Sequence, residues 1–196
     1  MKRFGKFLII FGALVILAGV GMTVYNVVDD HNAAQRVETQ IAALEEAIEN
    51  RSQDGEEETP SAGEGLMSEV TVGEYEYIGY LEIPYLDLKL PVMAQWSYDR
   101  LQIAPCRYAG TIYGLDLCIA AHNYDKHFGR IASLYEGAEI DFIDVNGSVT
   151  RYKVVKGEEL EADAVDQMTD SDYPLTLFTC NFDGSARVTV RCELAD

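Results

Sequence analysis

The hydrophobic pattern of this chain changes period three times, and each change marks a different kind of structure. From residue 7 to residue 28 no side chain carries a charge, and Leu, Ile, Val, Phe, Ala and Gly dominate. About 22 helical residues at 1.5 Å each reach roughly 33 Å, the depth of a bilayer core. From residue 31 to 49 the apolar positions thin to Val37, Ile41, Leu44 and Ile48, at helical spacing on one face. About two heptads are too few for a self-associating seam, so this pattern predicts a short stalk helix. Residues 51 to 65, with Glu56, Glu57 and Glu58 in a row and then Pro60, have almost nothing apolar to bury and predict a flexible acidic linker.

Beyond residue 75 the period falls to two. YIGYLEI (77–83), LKLPVM (88–93), the nearly continuous apolar run DLCIAA (116–121), AEIDFIDV (138–145), SVTRYKVV (148–155), PLTLFTC (174–180) and ARVTVRCEL (186–194) read as strands. Asn146-Gly147 is a strong hairpin signal between two of them. HFGRIASLY (127–135) reads as a helix. So many strands with only short helices predict a mostly antiparallel barrel or sandwich. The expected domains are a cytoplasmic amino terminus (1–6), a transmembrane signal-anchor (7–28), a juxtamembrane helix and linker (29–74) and a globular domain (75–196).

Charge sets the topology. Lys2, Arg3 and Lys6 precede the apolar run and Asp29 and Asp30 follow it, so the positive-inside rule keeps the amino terminus cytoplasmic and exports the rest. A cleaved secretory signal would have a shorter apolar region, about 7–15 residues, ending at a small-x-small site. No such site follows this run. After residue 6 the chain carries 12 basic and 33 acidic side chains, a net of −21. A surface of that sign repels nucleic acid, which is excluded as a partner.

The four cysteines, Cys106, Cys118, Cys180 and Cys192, are widely spaced with no CxxC. With His31, His122 and His127 they make no zinc pattern, and no cofactor is expected. Taken singly, each has a structural explanation. Three positions nonetheless share a property. His122 ends the strand 116–121, Cys180 ends the strand 174–180, and Arg187 opens the strand that returns from the next turn. Strand ends hold groups rigidly while leaving them open to solvent. A thiolate, an imidazole and a guanidinium together suit acyl transfer through a thioester.

Over roughly residues 75 to 194 the chain resembles the sortases, surface enzymes of Gram-positive bacteria. The likeness lies in IGYLEIPYLDLKLPV (78–92), RYAGTIYGLDLCIAAHNYDKHFGRIASL (107–134), TLFTC (176–180), which looks like the family's TLxTC signature, and RVTV (187–190). The resemblance implies a closed eight-stranded sortase-type β-barrel, mostly β with short helices, behind the transmembrane helix and the helical, acidic linker. It implies that Cys180 attacks a Thr carbonyl in a carboxy-terminal LPxTG-like motif of surface proteins. His122 would protonate the leaving amine and then deprotonate an acceptor amine, from a cell-wall peptide or a protein lysine. Arg187 would stabilise the oxyanion, and Thr179 would line the substrate site. The enzyme would sit in the cell membrane by its amino-terminal helix, with its catalytic domain outside.

The chain departs from the family at Ala121, where Gly is usual, and in its short turn between Cys180 and Arg187. Strand alternation puts Arg191 on the same face as Arg187, and Arg187 is preferred because the family's Arg opens this strand. Subclass features are mixed, class B at the His-Asn pair and classes A, D or E in the opening strands. Cys106 and Cys118 flank a turn, and one hypothesis pairs them and leaves Cys192 a buried thiol, although the sequence does not decide between paired and free. Two other functions remain open: a hydrolase of the same fold that passes the acyl group only to water, and a catalytically silent binding module.

Overall fold

The computed structural model describes residues 2–54, 67–170 and 172–195. Of the expected linker, Arg51 to Asp54 close the preceding helix, and the rest lies outside the described residues. The elements are α1 (Lys2–Asp54), β1 (Val70–Val72), β2 (Tyr75–Ile83), β3 (Leu88–Met93), α2 (Tyr98–Leu101), β4 (Cys106–Ala109), β5 (Leu117–Ala120), β6 (Glu139–Asp144), β7 (Val149–Glu161), α3 (Val165–Thr169), β8 (Leu175–Cys180) and β9 (Ala186–Leu194).

The chain forms two compact units, residues 1–32 and 33–196. In the first, the apolar side chains from Phe7 to Val28 stand exposed on a helix long and apolar enough to cross a membrane. The second unit is a barrel. Its strands pair in the order β2-β3-β4-β5-β8-β9-β7-β6, and β6 returns to β2, closing a ring of eight with β1 added against β2. Closure removes the edges that an open sheet would leave unpaired. All pairings are antiparallel except β3–β4 and β5–β8.

The ring's interior is filled by alternate residues, among them Leu81, Leu90, Leu117, Ile119, Ile140, Phe142, Leu175, Leu177, Val190 and Cys192. The sequence reading missed β1 and β4, each only a few residues long. The helix expected at 127–135 reduces to a single 3-10 turn at Ile131–Ser133. A further short helix, α3, follows a β7 that runs six residues past its expected end.

The expected stalk is instead part of the globular unit. Ala33, Val37, Leu44 and Ile48 are buried. Val37 joins the main core, while Leu44 and Ile48 cluster with Tyr77, Met93 and Cys106. Polar contacts fix the docking: the Tyr77 hydroxyl donates to Gln40 Oε1 at 2.8 Å, and Lys89 pairs with Glu45. Each fully buried aliphatic side chain contributes about 1.5–3 kcal/mol, which is what a lone stalk would forgo.

The seam of the ring depends on Gly79. This residue pairs with Val92 on one side and Asp144 on the other, at φ +148°. A Cβ there would sit 2.1 Å from the Ile143 carbonyl oxygen. The obstacle is backbone, so it cannot swing away. Gly79→Ala is therefore expected to destabilise the barrel by about 3 kcal/mol or more, read by thermal or denaturant unfolding. A change under about 1 kcal/mol would show that the β2–β6 seam can give.

Candidate active site

Cys180 and Arg187 lie on the neighbouring strands β8 and β9, and His122 follows β5, the strand on the other side of β8. β5 and β8 run parallel in the register Leu117↔Leu175 to Ala120↔Phe178, and the next amide, Ala121 N, donates to Phe178 O at 3.2 Å. His122 lies two residues past the end of β5, and Cys180 is the last residue of β8. A side-chain link follows, Asn123 Nδ2 donating to Asn181 O at 3.5 Å. On the other flank Cys180 is the direct cross-strand partner of Arg187.

Alternation decides which way the side chains face. Leu117, Ile119, Leu175 and Leu177 point into the ring, whereas Cys118, Ala120 and Phe178 form a separate cluster on its outer face with Met168. Cys180 and Arg187 share that outer face. Across β9 the next strand continues the row, with Leu160 opposite Arg187 and packed on the outer cluster. Aromatic rings extend it on the other side: Phe178 meets Tyr108 edge-on at 5.1 Å, and Tyr108 lies against Trp96 at 5.1 Å.

Cys180 is exposed, and the other three cysteines are buried. All four are free thiols, so Cys106 and Cys118 do not pair. Register explains why: Cys106 lies opposite Ala120, Cys118 opposite Ala109, and the two belong to different clusters. Burial pushes the thiols of Cys106, Cys118 and Cys192 up to about 12, which keeps them protonated and inert. Only Cys180 has the access a nucleophile needs.

The turn after Cys180 is tightly tied. Asp183 Oδ1 accepts from the Ser185 amide at 3.0 Å and its hydroxyl at 2.6 Å, and Asn181 Oδ1 accepts from the Ala186 amide at 3.2 Å. Gly184 takes the left-handed conformation that closes it, φ +78°. Arg187, half-buried, donates through Nη1 to the carbonyls of Gly184 and Ala186, both at 3.2 Å. Those bonds hold the guanidinium at the turn that links Cys180 to β9.

Thr179 precedes Cys180 on β8. It is 3% exposed and faces away from Cys180, and its hydroxyl donates to Ala121 O at 2.8 Å. Its side chain therefore staples β8 to the chain just past the end of β5. Arg191 has the outer-face position that alternation foresees, but it is buried and fully engaged by neighbouring groups. It cannot serve as an open oxyanion donor.

His122 stands at one end of a chain of three rings. Its ring lies 4.9 Å from that of Tyr124, which in turn meets the buried His127 edge-on at 5.3 Å. Neither ring nitrogen of His127 has a hydrogen-bond partner. Burial, reinforced by the nearby charges of His122 and Arg36, lowers its pKa from 6.5 to about 4. It is thus neutral when folded, and the unfolded chain takes up a proton that the folded chain refuses between those values. Stability is lost as pH falls from about 6.5 towards 4, by about 2 kcal/mol at pH 5. His127→Leu should abolish this slope. Melting both proteins at pH 7.5 and pH 5 checks it, and an unchanged slope would assign the loss elsewhere. Among the described residues no three His, Cys, Asp or Glu side chains group to hold a metal.

The closed eight-stranded barrel has Cys180 and Arg187 paired on neighbouring strands, with His122 just past the end of the strand on the other side of Cys180. A sortase-domain family profile matches residues 81–195. The chain belongs to the sortase family. Among solved structures it is similar to a sortase C of Streptococcus pneumoniae (26% identity, 79% of this chain and 89% of that one, TM-score 0.55). It is similar also to a Clostridium perfringens sortase C determined with the C-terminal cell wall sorting motif (25% identity, 81% and 90%, TM-score 0.54). Sortase C1 of GBS pilus island 1 shares the fold at 19% identity (82% and 92%, TM-score 0.60). None of the curated protein sequences matches the chain. The named structures are all class C, a subclass the sequence features did not single out.

Proposed function

We propose that this sortase is a membrane-anchored cysteine transpeptidase. It cleaves an LPxTG-like motif at the carboxy terminus of surface proteins and passes the acyl group to an amine. The observation that carries this reading is the exposed Cys180 at the end of β8, cross-strand partner of Arg187 and neighbour to the strand that runs on into His122. The Clostridium perfringens sortase C determined with a sorting motif supports the substrate class.

The steps follow from the groups. Cys180 Sγ, as thiolate, adds to the carbonyl carbon of the motif's Thr, and the Arg187 guanidinium stabilises the oxygen as it becomes negative. The carbon–nitrogen bond then breaks, and the His122 imidazolium gives its proton to the departing amine, leaving a thioester on Cys180. An incoming amine gives a proton to the neutral imidazole as it attacks the thioester. Sγ leaves as thiolate, and the starting state returns. The peptide amino-terminal to the scissile bond would lie along the outer face, over Phe178 and the rings of Tyr108 and Trp96. Residues 7 to 28 would hold the enzyme in the membrane with its amino terminus cytoplasmic, so substrates and the acceptor amine meet it outside the cell.

The test uses the full chain in detergent with a quenched LPxTG-type peptide, with and without peptide and lysine-like amines. The expected result is cleavage that rises with amine and yields a new amide product. Cleavage that ignores every amine would make the enzyme a hydrolase. Peptide binding without cleavage, indifferent to Cys180→Ala, would make it a binding module.

A further inference from the structure

Arg191 is 3% exposed on the outer face of β9, in a place where an uncompensated cation would be very costly. It lies two rows behind the reactive row. Cys180, Arg187 and Leu160 stand opposite one another across three strands; then come Phe178, Thr189 and Glu158; then Thr176, Arg191 and Lys156. Four residues of strand are about 13 Å, so Arg191 does not touch reacting atoms.

Its guanidinium instead joins three elements. Nε donates to Glu158 Oε1 at 2.9 Å, Nη1 to Thr176 Oγ1 at 2.9 Å, and Nη2 to Gln167 O at 2.6 Å, with Met168 O at 3.4 Å from Nη1. The Tyr173 ring lies beneath it at 5.5 Å. Glu158 also pairs with Lys156. Partial burial alone would raise the Glu158 pKa, but the bonds from Lys156 and Arg191 prevail and keep the carboxylate ionised.

Gln167 and Met168 are in the last turn of α3. That helix has five residues and no side-chain cap at its start, far below the length at which a helix holds itself. Tertiary contacts must hold it. The Met168 side chain, buried, packs with Phe178, Cys118 and Ala120, on the surface leading to Cys180.

We propose that Arg191 is the positioning residue for the wall of the peptide groove. It clamps the carbonyls of α3 and so holds Met168 against Phe178, two residues from the nucleophile. This fixes the width available to apolar side chains amino-terminal to the scissile bond. The proposal deepens the transpeptidase reading and rests on it for the identity of the peptide.

The experiment uses the full chain in detergent with R191M, whose flexible apolar side chain avoids burying a new charge, and R191K. Hydrogen exchange is read at the amides of 165–169. In R191M these are expected to exchange at least tenfold faster, while β8 amides hold. KM for the sorting peptide should rise at least tenfold with kcat within threefold, and alkylation of Cys180 by iodoacetamide should be unchanged. R191K, which keeps the charge but not the fork, should fall between. Unchanged exchange at 165–169 overturns the clamp, whether or not the wild-type protein cleaves the peptide. So does a loss of kcat and of Cys180 reactivity in step with melting temperature. Absence of cleavage by the wild type would instead remove the transpeptidase reading. Should R191M fail to fold, M168A with Arg191 intact decides: a rise in KM alone supports the wall, and an unchanged KM rejects it.

Discussion

Cys180→Ala should reduce turnover of a sorting peptide by at least about 10⁴-fold, because the covalent route is lost entirely. The melting temperature should barely move, since Cys180 is exposed and pairs through its backbone alone in the strand ladder. His122→Ala should cost a similar factor, and the double variant little more, because a nucleophile and its acid/base partner act as a unit. The direct measurement is intact mass after mixing with peptide. The wild type should carry the acyl adduct, and Cys180→Ala should carry none. Iodoacetamide under native conditions should modify one thiol in the wild type and none in the variant, as the other three are buried. Turnover that survives Cys180→Ala would end the mechanism. Reaction of a second cysteine would contradict the burial pattern.

The second large effect separates the two arginines of β9. Arg187→Ala should lower kcat by about 10²–10³-fold, the usual loss when one donor to a developing oxyanion is removed. Arg187→Lys should recover only part of this, because an ammonium cannot reproduce the planar fork. Both proteins should melt close to the wild type, since the contacts of Arg187 are to the turn carbonyls of Gly184 and Ala186. Substitution at Arg191 should show the opposite pattern, with KM and local order affected and kcat nearly kept. Steady-state kinetics and thermal melts on the same preparations give both readings. A kcat collapse at 191 with none at 187 would reverse the assignment.

Much of this molecule could be read from its residues alone. The uncharged run of residues 7 to 28 is local information, since length and polarity suffice for a membrane-crossing helix. The strand ends at His122 and Cys180 were also local, because alternation stops where polar turn residues begin. Seven strands appeared as alternating or short continuous apolar runs. β1 and β4 did not, since three or four residues carry too little pattern to stand out.

What the chain could not state locally was who sits beside whom. Period two assigns a side chain to a face, but not to the inside or outside of a ring, nor to a neighbour. Arg187 and Arg191 are equivalent in pattern; only the pairing with Glu158 and the docking of α3 bury one and leave the other at the turn. Thr179 belongs to the sequence signature, yet its direction followed from the parallel register of β5 and β8. The free state of Cys106 and Cys118 rests on strand register too. The apolar stripe Val37, Leu44 and Ile48 was visible at once, but a stripe names no partner, and the barrel surface that receives it comes from strands far along the chain. Local sequence thus determined the elements and the reactive types, while non-local pairing decided their company, because strand partners are chosen by the energy of the closed ring as a whole.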